Sequence, residues 1–114
     1  MQEEEYTDIK LAVEEAGFFT TFQPFEDDEV WIVLASHRTE GVLDGNSFRV
    51  SLKGGRWYLV TWALVYYLVP PGADLTALCL DCLRVTHKTI SQMPAKIVSR
   101  YQLVEISEEE YDRA

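Results

Sequence analysis

Ser47-Phe48-Arg49-Val50-Ser51-Leu52-Lys53-Gly54-Gly55-Arg56-Trp57-Tyr58-Leu59-Val60-Thr61-Trp62 is the stretch that decides the fold. From Ser47 to Lys53 every second residue is apolar and the others are polar, the period of a strand buried on one face. Trp57 to Val69 is apolar or aromatic at nearly every position. Gly54-Gly55 supplies a two-residue hairpin loop, which sets the register between the two runs. Leu52, Val50 and Phe48 then face Trp57, Leu59 and Thr61. On the opposite side Ser51, Arg49 and Ser47 pair with Tyr58, Val60 and Trp62. One side of the ribbon is a core. The other mixes serine and arginine with large aromatics, and is either covered by another element or open to a partner.

Working outward, Glu4 to Ala16 reads as a first helix, with Tyr6, Ile9, Val13 and Ala16 at helical spacing and Gly17 as its stop. Phe18 to Phe22 and Glu29 to Ala35 read as strands separated by a Pro24 to Asp28 turn. Ser36 to Asn46 is a looser stretch ending in the turn signal Asp44-Gly45-Asn46. Trp57 to Val69 is one strand, or two sharing a bend, followed by Pro70-Pro71-Gly72. Asp74 is a good N-cap for a helix over Leu75 to Val85. Thr86 to Gln92 carries no clear signal. Pro94 opens a short helix to about Tyr101, Leu103 to Ile106 is a last strand, and Ser107 with Glu110 forms a capping box. The order predicts a single α+β domain over residues 1–114: an N-terminal helix, a four- or five-stranded mostly antiparallel sheet, and C-terminal helices packed on the sheet.

Composition narrows the function. The 114 residues include 10 basic and 19 acidic side chains, for a net charge of −9. Such a chain repels phosphate backbones and anionic membrane surfaces, and attracts a basic protein partner. The acidic opening Met1 to Glu5 is the reverse of a secretory signal, and the 13-residue run from Trp57 to Val69 is short of the ~20 residues a membrane helix needs. With two cysteines, the expected setting is the reduced cytoplasm.

Among chemistry-bearing motifs, Cys79-Leu80-Asp81-Cys82 stands mid-helix, on the i, i+3, i+4, i+7, i+8 stripe of Leu75, Leu78, Cys79, Cys82 and Leu83. That pattern is core packing, since a redox pair needs its first thiol exposed at a helix N-terminus. Zinc would require two further ligands, for which only His87 and His37 exist; no metal and no cofactor is expected. Ser36-His37-Arg38-Thr39-Glu40 gathers titratable groups after a buried strand, yet adjacent residues on extended chain point apart, so Ser36 and His37 cannot form a nucleophile and base. Gly54-Gly55 lacks the Lys-Ser/Thr of a phosphate-binding loop. The acidic runs at Glu3 to Glu5, Glu26 to Glu29 and Glu108 to Glu110 read as solvated.

Two readings of function follow. In the first the protein is a non-catalytic interaction module, such as an adaptor, inhibitor or immunity-type protein. It uses its acidic surface and the aromatic side of its sheet, where Tyr58, Trp62, Tyr66 and Arg49 gather. In the second it holds a small molecule, or acts as an enzyme, through a pocket between sheet and helices lined by Tyr66, Trp62, His37 and Arg38. Surplus apolar sheet surface also points to self-association into a homo-oligomer.

Overall fold

The computed structural model describes residues 2–26, 28–85 and 91–114. A helix, α1 (Gln2–Glu15), leads into six strands: β1 (Phe19–Pro24), β2 (Val30–Thr39), β3 (Val42–Lys53), β4 (Arg56–Thr61), β5 (Tyr66–Val69) and β6 (Val104–Ile106). Between β5 and β6 come α2 (Leu75–Val85) and α3 (Ala95–Tyr101), and α4 (Glu108–Arg113) follows β6. The strands lie in the sheet in chain order, each antiparallel to its neighbour. This is the α+β architecture the pattern predicts, with six strands rather than four or five.

The extra strand comes from the run Trp57 to Val69, which is two strands hinged by a tight turn rather than one. Thr61 builds that turn. Its backbone N–H donates to Val65 at 3.1 Å, its carbonyl accepts from Leu64 at 3.0 Å, and its Oγ1 accepts from the Val65 N–H. The β3–β4 register agrees with the expected one from Leu52↔Trp57 to Phe48↔Thr61. Only the Ser47–Trp62 pair is absent, because β4 ends at Thr61. Gly54 and Gly55 have φ of 59° and 77°, the left-handed pair that a twisted two-residue hairpin demands.

The stretch Ser36 to Asn46 is not loose. It is a hairpin in which β2 runs on to Thr39, turns at Glu40-Gly41 with both φ positive, and returns as β3. Asp44-Gly45-Asn46 is therefore no turn. Between the pairs Ala35↔Ser47 and His37↔Asp44, Gly45 and Asn46 together oppose Ser36, a β-bulge with glycine at φ 75°. A Cβ at Gly45 would lie 2.5 Å from Ser36 Oγ and 2.6 Å from the His37 ring. The bulge turns Asn46 inward, where its N–H donates to Ser36 Oγ (2.8 Å) and its Nδ2 donates to the Cys82 carbonyl of α2 (2.6 Å).

The alternation of the strands produces two unlike faces. The front carries Ile32, Leu34, Phe48, Val50, Leu59, Tyr67 and Val69, all buried against Ile9 and Val13 of α1, Leu78, Cys79, Cys82 and Leu83 of α2, and Ile97 of α3. The α2 stripe is thus packed as its spacing predicts, capped by Asp74 Oδ1 accepting from the Ala77 N–H at 3.0 Å. The back carries Trp31, Val33, Arg49, Ser51, Tyr58, Val60, Tyr66 and Leu68, by the register of the pairs. α4, opened by the expected capping box on Ser107 and Glu110, lies across one part of it.

Cys79 and Cys82 are enclosed in the front core. Burial pushes the Cys79 thiol well up, with Cys82 and Asp74 adding to the rise, and burial with the Asp81 charge brings Cys82 to about 12. Neither is a thiolate at neutral pH. Cys82→Ala is expected to lower stability by about 1–3 kcal/mol in denaturant titration, the cost of a buried truncation. Both thiols should modify with Ellman's reagent only as fast as the protein unfolds, and rapid labelling in native buffer would contradict this packing.

Candidate functional site

The back of the sheet is divided between a covered part and an open one. Over the covered part, Tyr111 of α4 is buried against Tyr58, Val60 and Tyr66, with ring centroids 5.0 Å from Tyr58 and 4.8 Å from Tyr66. Its hydroxyl donates to the Glu29 carboxylate and pairs with Ser51 Oγ at 2.9 Å. Lys53 Nζ donates to the carbonyls of Tyr111 (2.7 Å) and Asp112 (3.1 Å), where the helix C-terminus favours a cation. Tyr58 and Tyr66 are only 4% and 6% exposed. Two of the expected binding aromatics are a second, small core.

Beyond α4 no element among the described residues covers the face. A groove of about 310 Å³ is lined there by Trp31, Val33, Leu43, Ser47, Arg49, Val60, Trp62 and Leu64. Its rim is the β4–β5 turn. Trp62 is 72% exposed and Leu64 is 54% exposed. Leu64 also has φ of 63°, a conformation that costs a non-glycine residue about 1 kcal/mol or more. Val42, at the end of the neighbouring hairpin, is exposed as well.

Arg49 forms the floor. Its guanidinium carbon lies 3.6 Å from the centroid of the Trp31 ring, and Phe25 packs on Trp31 from the β1–β2 turn at 4.5 Å between centroids. The Arg49 Nε is closed off from solvent with no hydrogen-bond partner. The ion pairs among the described residues are Lys10–Glu14, Arg100–Asp81 and Arg113–Glu109, and Arg49 belongs to none of them. Glu29, the nearby anion, is occupied by Tyr111 and by the Trp31 Nε1–H at 2.8 Å. Burial pushes the Glu29 carboxyl up, but those two hydrogen bonds, with Lys53 and Arg49 behind them, outweigh it and hold the group below its ordinary 4.5. The same contact acts in reverse on Tyr111, where burial first and the Glu29 carboxylate second raise the phenol to about 12.

Of the six expected binding residues, only Trp62 and Arg49 share the groove. Tyr58 and Tyr66 lie under α4, and Trp62 stands in a turn rather than in register beside them. His37 and Arg38 belong to the β2–β3 hairpin, opposite Asp44 and Leu43, exposed and outside the groove lining. The pocket drawn from Tyr66, Trp62, His37 and Arg38 therefore does not assemble. Sequence reasoning missed Trp31, Leu43 and Leu64. Trp31 was legible in principle, since a tryptophan in a continuous apolar strand must face one side or the other. His87 of the conceivable zinc set, and most of the unassigned Thr86 to Gln92, fall outside the described residues. Among those described, no three His, Cys, Asp or Glu side chains are grouped to hold a metal ion, and no helix is long and apolar enough to cross a membrane.

Comparison with protein-family models, with curated proteins and with solved structures returns no match for this chain.

The Glu29–Tyr111 contact gives a pH prediction. Because the folded carboxyl titrates below its ordinary 4.5, its contribution to stability is present above that value and is lost as pH falls through the folded pKa. Glu29→Gln should therefore be less stable than the native chain at pH 7, and the gap should close as pH falls below 4.5 and through the folded pKa. Asp81, held low by Tyr101 and Arg100, destabilises both proteins alike in acid and cancels from the comparison. A gap that stays constant from pH 7 to pH 3 would contradict the assignment.

Proposed function

We propose that this protein is a non-catalytic protein-interaction module whose contact surface is the open part of the back face, centred on Trp62. One observation carries the reading. The β4–β5 turn holds Leu64 in an unfavourable backbone conformation and leaves Trp62 largely in water, beside an apolar groove with an arginine in it. A turn with no role in binding gains nothing from displaying a tryptophan and a leucine together at that cost. Tryptophan and arginine are the side chains that most often dominate binding energy once desolvated.

The charge of the chain acts on a different scale. A net −9 favours approach of a partner whose surface is basic, through a field that decays over ~8 Å at physiological salt. The groove then supplies the short-range contact. A module of the adaptor, inhibitor or immunity type needs nothing more than these two features.

A photo-crosslinking residue tests the reading in cells of the source organism. Trp62→benzoylphenylalanine should give a discrete protein adduct, whereas the same replacement at Leu11, an exposed apolar side chain on α1, should not. Trp62→Asp should abolish binding of the recovered partner while changing unfolding free energy by no more than about 0.5 kcal/mol. Identical adduct patterns from positions 62 and 11, or none from either, would overturn the proposal.

A further inference from the structure

Resting on that reading of the groove, we infer that its occupant is an extended segment of another protein that sets one Asp or Glu carboxylate beside a bulky apolar side chain. The carboxylate pairs with Arg49, and the apolar side chain lies between Trp62, Leu64 and Leu43.

The argument begins with the cost of Arg49 as it stands. A half-buried guanidinium normally spends its donors on a carboxylate or on carbonyls, because desolvating an unpaired cation is expensive. Here one face is stacked on Trp31, the Nε is closed off without an acceptor, and no described carboxylate stands within ion-pair distance. Glu29 attracts Arg49 through space but makes no ion pair with it, and its Oε2 serves Tyr111 and Trp31 instead. The Arg49 side chain lines the groove, and none of the ion pairs among the described residues includes it. Stacking fixes the plane of the fork without using its in-plane donors. That is the arrangement in which an arginine meets a carboxylate with two parallel hydrogen bonds.

The surroundings select the rest of the ligand. Val33, Leu43, Val60, Trp62 and Leu64 form an apolar wall around the one cation. A bare anion would leave that wall wet, and a purely apolar segment would leave the guanidinium dehydrated and unpaired. A polyanion such as nucleic acid would bring many charges to one cation on a chain of net charge −9. A second copy would likewise bring a further −9 to the contact. A single carboxylate flanked by an aromatic or aliphatic side chain satisfies both parts of the groove. This is compatible with a basic partner overall, since Arg49 reads one group at contact distance.

The test uses isotope-labelled native protein and two capped pentapeptides, alanine–phenylalanine–aspartate–leucine–alanine and its asparagine counterpart. Binding is followed by the indole N–H signals of Trp31 and Trp62 and the Arg49 Nε–H. The aspartate peptide should bind about tenfold more tightly than the asparagine peptide, and the ratio should fall to about one in Arg49→Gln. Arg49→Lys, which keeps the charge without the fork, should retain an intermediate ratio, and Trp62→Ala should weaken both peptides alike. Equal affinity of the two peptides for the native protein, or an aspartate preference that survives Arg49→Gln, would overturn the inference. So would dimerisation abolished by Arg49→Gln, which would assign the groove to a second copy. Crosslinked adducts at position 62 together with equal peptide affinities would leave the interaction reading standing and remove only the carboxylate.

Discussion

The register of β3 on β4 is the constraint on which the rest of the molecule depends. Side chains alternate strictly along a strand, so slipping β3 by one residue against β4 would carry Arg49 and Ser51 into the helix-covered core and push Phe48 and Val50 into water. The left-handed pair Gly54-Gly55 prevents that slip by tying Lys53 to Arg56. Every neighbouring strand inherits its orientation from this pairing. Ile32 and Leu34 follow Val50 and Phe48 to the front, and Trp31 and Val33 follow Ser51 and Arg49 to the back. The groove exists because one hairpin has two unlike sides.

How much of the back is open is settled by the length of α4. Six helical residues span ~9 Å, whereas adjacent strands are ~4.8 Å apart, so the helix covers the width of about two strands. Its anchors hold it at one place. Tyr111 reaches Glu29 and Ser51, and Lys53 binds the end of the helix. The remainder of the back, from Trp31 across Arg49 to Trp62, has no further element to cover it among the described residues. The polar contacts that fix α4 and the open groove are thus parts of one arrangement, with Trp31 touching both. Its indole N–H serves Glu29 while its ring carries Arg49.

The helical spacing of the cysteines was readable because burial of a helix stripe depends on the sequence of that helix alone, and Cys79 and Cys82 lie in the core it implies. The candidate contact residues were less legible. Arg49 and Trp62 were visible as members of a mixed aromatic and basic side, but Tyr58 and Tyr66 look the same in that pattern and are buried by a helix more than 40 residues away in the chain. Asp44-Gly45-Asn46 misled for a related reason. A glycine at positive φ serves a turn or a bulge equally well, and the choice depends on what Ser36 offers across the ladder. Glu40-Gly41, the true turn, lacks the asparagine or aspartate that usually marks one.

What the sequence determined by itself is therefore local: the alternation of β3, the glycine-set hairpin, the apolar stripe of α2, the caps at Asp74 and Ser107, and the α+β order of elements. Each follows from neighbours a few residues apart, where backbone geometry and side-chain period leave little choice. Only the tertiary structure decided which aromatics are core and which are surface. Whether Tyr58 or Trp62 meets water depends on where α4 comes to rest and where β4 breaks. Those outcomes are set by contacts such as Tyr111 with Glu29 and Thr61 with Val65, the first between residues 82 positions apart. No pattern of residues near Tyr58 or Trp62 encodes the first of them, because the energy that fixes it comes from groups the chain brings together only on folding.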